Sequence, residues 1–350
     1  MSAALPSSAM LRAADRSEGV WLSAWRRFKS DRVGLVSLAI VIAFLLLIAL
    51  SALGLVAGNW QREVGVPYAN PTFLGPTPPP PAAQIEEGKG PPVDISAVDP
   101  LAPRYAEWAE RASKLKVDEE VRDNTLPLGG DRLGRDVLAK AIKGAEISIF
   151  VGVLAALLAT AIGTALGAVS GFLGGRVGDL LEWVYNVFTS IPGILLIFAF
   201  AAVFGRGTGT VVLILGLTGW TGIYRLVRAE FLKHAVRDYV RAAEAIGASV
   251  GSRMFRHILP NVSHVVLVQL SILTVGFIKA EVILSYLGLG VSIDQVSWGT
   301  MLAESQVELL LGHWWQLATA TVFMAVFVTA FSLFTDALRD ALDPKLRGLE

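Results

Sequence analysis

Six stretches of this chain are almost free of charge over lengths that match a membrane. A hydrocarbon core about 30 Å thick needs about 20 apolar residues of helix. Val33–Gly58, Ile147–Leu173, Val184–Phe204, Gly207–Tyr224 and Trp314–Thr335 contain no Asp, Glu, Lys or Arg. Val262–Ile278 adds only His264, and its helix is expected to continue to Tyr286. Helices satisfy their own backbone, as a span in lipid must, so the expected fold is an all-α polytopic membrane protein with six transmembrane helices. The first run is longer than the 7–15 apolar residues of a secretory signal and begins only at Val33, so it reads as a retained anchor.

Composition agrees: 53% of residues are hydrophobic and 17% charged, against about 25% charged in an ordinary soluble chain. Thirty basic and thirty acidic residues cancel, so no electrostatic attraction to nucleic acid is indicated. The chain has no cysteine, which excludes disulfides, thiolate zinc sites, iron–sulfur clusters and cysteine nucleophiles.

Lys and Arg then orient the spans. Arg12, Arg16, Arg26, Arg27, Lys29 and Arg32 precede the first. Arg225, Arg228, Lys233, Arg237, Arg241, Arg253 and Arg256 lie between the fourth and fifth, and Arg339, Lys345 and Arg347 follow the sixth. Ser285–His313, between the fifth and sixth, has neither Lys nor Arg. Both termini are therefore expected in the cytoplasm. The resulting organisation is a cytoplasmic amphipathic segment 1–32, a first span 33–58, an external proline-rich segment 59–146, a transmembrane core 147–338 with a cytoplasmic loop 229–261, and a cytoplasmic tail 339–350.

Several segments carry further signals. Val20, Trp21, Leu22, Trp25 and Phe28 interleave with Arg26, Arg27 and Lys29, the pattern of a helix lying on the membrane surface. Gly75–Pro81 reads GPTPPPP and predicts extended chain. Pro103–Val121 predicts a helix with Tyr105, Trp108, Ala112 and Leu115 on one face, either a cap over the spans or a docking surface. Ala155, Ala159, Gly163, Gly167, Gly171 and Gly175 form a stripe that lets another helix approach closely; the stripe fits internal packing or a second subunit equally. Ser190-Ile191-Pro192-Gly193 predicts a kink. Lys279 and Glu281 near the end of the fifth span are candidates to line a pathway. At i and i+2 they take different faces and do not pair with each other.

No phosphate loop G-x-x-x-x-G-K-[ST] is present, because the one Gly-Lys pair, Gly88-Lys89, is followed by Gly90. The four histidines, His234, His257, His264 and His313, have no metal-ligand spacing. Any energy from ATP must then come from another polypeptide. The densest signal is Arg237–Asn261, RDYVRAAEAIGASVGSRMFRHILPN, whose apolar residues recur every three or four. Two short helices are expected to meet at Gly247, with Ser249 capping the second and Leu259-Pro260 stopping it. Such a projecting knob suits a groove on a soluble partner.

This loop resembles the EAA loop of ABC-importer permeases, with Arg241-Ala242-Ala243, three residues, Gly247, then Leu259-Pro260. The family's leading Glu is Arg241 here, and Glu244, three residues on, could pair with it. Trp25-Arg26-Arg27-Phe28, Leu128–Leu138 (LGGDRLGRDVL), Leu284–Gly290 (LSYLGLG) and Asp336–Lys345 (DALRDALDPK) resemble the C-type subunit of the dipeptide/oligopeptide/nickel branch. Residues 59–124 depart from that branch, being longer and richer in proline.

The resemblance implies the type I ABC-importer permease fold, in a bacterial inner membrane. It implies a translocation subunit for peptides or a related small solute, with no catalytic residues and no cofactor of its own. Its partners would be a homologous permease, two ABC ATPase subunits that bind ATP, an external solute-binding protein and membrane lipid. Arg241, Ala242, Ala243, Glu244, Gly247, Leu259 and Pro260 would form the ATPase-coupling loop. The alternatives are a secondary transporter, which would call for midplane carboxylates or inverted repeats, and a non-transporting membrane scaffold.

Overall fold

The computed structural model describes residues 20–78, 99–114 and 122–342. They form two compact units, Gln61–Val137 and the remainder of the chain. Among the described residues of the larger unit, five helices are long and apolar enough to cross a membrane, and six if one sharply bent pair counts as a single span.

Helix α1 (Val20–Ser30) ends where Asp31 turns extended, and the Asp31 side chain accepts from the Val33 amide to cap α2 (Arg32–Ala52). Capping at that point separates the amphipathic helix from the apolar one. Phe28 on α1 is buried edge-on against Phe334, beside Ala337 and Ala341, on the last helix of the chain.

The long helix α4 (Val137–Leu173) starts ten residues before the charge-free run. Its early charges are all partnered. Lys140 meets Glu304 at 2.5 Å, Lys143 meets Glu146 at 2.8 Å, and Ser51 Oγ donates to Glu146 at 2.8 Å. Neutralised in this way, they do not break the helix. The expected kink is a full break: α5 (Gly175–Ser190) and α6 (Gly193–Phe204) meet at 84°. Ile191 there is extended (φ −98°, ψ 131°), the conformation forced on a residue before proline.

After α7 (Thr208–Thr218), α8 (Thr221–Ala235) lies along the small-residue stripe. A Cβ on Gly163 would sit 2.1 Å from Ile223 Cγ2, one on Gly167 2.7 Å from the Tyr224 carbonyl, and one on Gly171 2.5 Å from the Arg228 carbonyl. Of the two readings open in the sequence, these three glycines take internal packing. The region of Ala155 and Ala159 is filled by Val211, Ile214 and Leu215 of α7.

Helices α9 (Asp238–Ala245) and α10 (Val250–Tyr286) enclose the Gly247 corner. Then α11 (Trp298–Leu310) and α12 (Trp315–Leu342) complete the unit. Ser297 and Thr300 form a reciprocal capping box at the start of α11, satisfying two otherwise unpaired amides. The Trp298 indole donates to the Ala141 carbonyl at 3.1 Å, which fixes α11 to α4.

In the smaller unit, β1 (Gly65–Pro71) and β2 (Asp123–Leu126) pair in parallel. The LGGDRLGRDVL stretch turns about buried Asp131, whose carboxylate accepts from the amides of Leu133 and Arg135 and from Arg135 Nε at 2.7 Å. A separate helix, α3 (Tyr105–Lys114), sets Tyr105 against Trp108 with ring centroids 6.1 Å apart, both half-exposed. The Tyr105 hydroxyl bonds Asp99 and holds that carboxyl below its ordinary range. Leu115, Pro79–Pro81 and the other expectations for 79–98, 115–121 and 343–350 lie outside the described residues, as does the N-terminal stretch before Val20.

Candidate functional site

The Arg237–Asn261 stretch folds as a corner with a buried base and a bare tip. Helix α9 ends in a Schellman motif. The Ala248 amide donates to the Ala243 carbonyl at 3.0 Å and the Gly247 amide to the Glu244 carbonyl at 2.9 Å. That closure needs a left-handed residue, and Gly247 supplies it at φ +85°. Ser249 Oγ then accepts from the Ser252 amide and caps the next helix.

The base is apolar. Val240, Met254 and Ile258 are buried with Phe231 and Val227 of α8 and Ala168 of α4, and Ala243 is buried as well. The tip is open. Arg241, Ala242, Ala245 and Gly247 are exposed, and Ile246 is 85% exposed. An isoleucine so placed is held there by the backbone geometry of the corner, against its own preference for burial.

Two expectations are corrected here. Glu244 does not pair with Arg241. Its Oε1 lies 2.6 Å from Arg253 Nη1, because the corner folds α10 back beside α9 and brings a cation closer than the neighbour one turn away. Arg253 also stacks over the Phe172 ring at 5.4 Å. Nor does Leu259-Pro260 stop a short second helix. Arg253–Ile258 is π-helical, and the Leu259 amide donates to the Met254 carbonyl five residues back. The wider turn absorbs the donor that Pro260 lacks, so α10 runs on to Tyr286.

A polar chain holds the corner from the side. The Tyr239 hydroxyl lies 2.8 Å from His234 Nδ1 and bonds Asn261, and burial pushes its pKa up, so it stays protonated. Asn261 Nδ2 donates to the His257 carbonyl at 2.7 Å. The end of α8, the start of α9 and the start of the apolar part of α10 are thereby joined. The Gly247–Gly251 sequence, GASVG, has the spacing of a nucleophile elbow, but a helix precedes it and Ser249 is spent on capping, so the strand–turn–helix context of that motif is missing.

Lys279 and Glu281 are not part of the corner. They lie in the last two turns of α10. Lys279 is exposed, whereas Glu281 is fully buried. Ser285 Oγ donates to Glu281 Oε1 at 2.6 Å, Ser148 and Ser297 stand alongside, and Oε2 has no hydrogen-bond partner among the described residues. Ser285 also accepts from the Val291 amide, so this carboxyl organises the LSYLGLG turn. Arg253, Tyr239 and Asn261 escaped the sequence reading. The periodicity placed Arg253 on a polar face and assigned none to Tyr239 or Asn261, and only the tertiary fold shows what they meet.

Residues 163–348 match the family model described as "Binding-protein-dependent transport system inner membrane component". The chain belongs to this family. Residues 19–70 match the N-terminal transmembrane domain of oligopeptide transport permease C. The dipeptide transport system permease protein DppC of Bacillus subtilis is 38% identical over 237 residues, 66% of this chain and 74% of that one. DppC of Lactococcus lactis is 30% identical over 325 residues, 92% of this chain and 90% of that one. The oligopeptide permease OppC of Salmonella typhimurium is 39% identical over 63% of this chain and 72% of that one. A solved inward-facing MetNI methionine ABC transporter overlays 58% of this chain at 16% identity with a TM-score of 0.48. This is a C-type permease subunit of an ABC importer, a multi-pass membrane protein with the family's all-helical fold, and ATP hydrolysis belongs to other subunits of such importers.

Proposed function

We propose that this permease serves an importer of peptides or a related small solute in a bacterial inner membrane, with both termini in the cytoplasm. Its partners are a homologous permease, two ABC ATPase subunits and an external solute-binding protein, and ATP is bound only by the ATPases. The solute class rests on the relatives' names. The single observation that carries the coupling role is the exposed Ile246-Gly247 tip standing on a buried base.

Closure of the ATPases on ATP moves the tip. Ala242 and Gly247 give a contact without bulky side chains, buried Ala243 supports them from beneath, and Arg241 and Glu244 orient the contact. Leu259 and Pro260 sit where the π turn passes the movement into α10, which carries it to the far end as a rigid helix. Lys279 meets a pathway formed with the second permease, a reading supported by its exposure. Glu281, being buried, acts on the pathway through the packing of α10 against α4 and residues 284–299.

Gentle detergent purification of the tagged chain from its native membrane, with mass spectrometry of what co-purifies, tests the assembly. Stoichiometric amounts of a second permease and a P-loop ATPase are expected. Recovery of the chain alone at low salt would overturn the reading.

A further inference from the structure

We infer that the outer face between α2 and α12 is a site for an anionic glycerophospholipid. A hollow of about 630 Å³ opens along these two antiparallel helices. Arg32 stands at one end of it, and Val36, Ile40, Val326, Ala330 and Leu333 line the rest. Its shape follows from the sequence. The helices meet closely where a Cβ on Gly34 would lie 2.7 Å from Ala337 Cβ, and again where Phe44 packs on Phe323 and Phe327. Between these contacts α12 presents small side chains at Thr329 and Ala330, and Ala325 stands beside the second contact, so the space is not filled. Ser37, the polar group on the α2 wall, is committed to the Gly34 carbonyl at 2.9 Å.

From Arg32 to Ile40 the groove runs eight residues, about 12 Å at 1.5 Å per residue. One leaflet of hydrocarbon is about 15 Å deep, half of the 30 Å core. An acyl chain fits that length, with its headgroup level with Arg32 at the α1–α2 break. Charge selects the headgroup. Residues 26–32 hold Arg26, Arg27, Lys29 and Arg32 against the single carboxylate of Asp31, which is engaged in capping Val33. Asp336, Arg339 and Asp340 at the end of α12 add one net negative charge, so the end stays positive. Arg32 is exposed and makes no ion pair among the described residues. A zwitterionic lipid would fill the hollow, but its own ammonium offsets its phosphate, so the net positive charge at this end would stay unbalanced.

The probe is phosphatidylglycerol, with phosphatidylcholine as control, each offered to the intact importer complex in detergent and counted by native mass spectrometry. The wild type should retain phosphatidylglycerol in preference. Arg32→Gln should weaken that lipid about fivefold and leave phosphatidylcholine unchanged. Thr329→Trp, at an exposed position, should displace both, with ATP hydrolysis by the complex as the check on folding. Equal retention of the two lipids by the wild type, or an unaltered preference in Arg32→Gln, would overturn the assignment. So would cross-linking of a single Thr329→Cys to a partner protein in a chain that otherwise has no cysteine, because a protein helix would then occupy the hollow.

Discussion

Replacing Gly163 by alanine tests whether the small-residue stripe is an internal seam. Alanine is the better helix former by about 1 kcal/mol, so in open space the change would stabilise. At Gly163 the added methyl would fall 2.1 Å from Ile223 Cγ2 and 2.6 Å from the Trp220 carbonyl oxygen. Ordinary contact begins near 3.4 Å, so α8 would have to move outward by about an ångström, and overpacking of that kind costs roughly 1–3 kcal/mol. The net loss is about 0–2 kcal/mol after the propensity gain is subtracted. Gly222 on the facing helix is the control, since nothing among the described residues lies within 4 Å of its Cβ position. Gly222→Ala should gain up to about 1 kcal/mol. Thermal unfolding of the two purified variants at one scan rate is the assay, because the melt of a membrane protein is a rate-dependent quantity. Gly163→Ala should melt several degrees below Gly222→Ala, at about 2–4 °C per kcal/mol. Equal melting of the two would refute the close approach of α8 to α4.

Lys140→Ala should destabilise by about 2–3 kcal/mol, less than a fully buried pair loses, because Lys140 is 1% exposed but Glu304 keeps 31%. A Lys140→Met, Glu304→Gln double variant should recover most of this, and chemical unfolding of the three proteins would show it. Burial holds the His313 imidazole below its ordinary pKa. The unfolded chain then takes up a proton near pH 6.5 that the folded chain refuses until lower pH, so stability is full above about pH 6.5 and falls on acidification through the folded pKa. His313→Gln should flatten that acid limb of the melting profile.

How much of this was legible in the sequence varies with the range of the physics involved. Spans were legible because hydrocarbon imposes one length and one composition on any helix that crosses it. The corner was legible because only glycine readily takes the left-handed residue of a Schellman closure, and Gly247 stands three residues past Glu244. The start of α4 was not, since Lys140, Lys143 and Glu146 look like a helix boundary until Glu304 and Ser51 are seen beside them. Pro260 has the look of a terminator, yet its effect depends on whether the preceding turn can widen, and Arg253–Ile258 does. The Arg241–Glu244 pairing failed for a related reason: one-turn proximity competed with a tertiary neighbour, Arg253, that the corner itself delivers. The β1–β2 pair joins strands more than fifty residues apart across proline-rich sequence, and no local periodicity announces it.

The coupling role of the corner is tested most directly by Gly247→Asp in the whole importer, reconstituted in proteoliposomes with its binding protein and assayed together for ATP hydrolysis and solute uptake. Aspartate is among the residues that best tolerate a left-handed backbone, and the Cβ position at Gly247 is open, so the fold survives while the bare tip gains a charged side chain. Uptake should fall at least tenfold, with the permease still present in the membrane and the ATPases still hydrolysing ATP. Uptake at the wild-type rate, with hydrolysis unchanged, would contradict the claim that this corner transmits the ATPase movement.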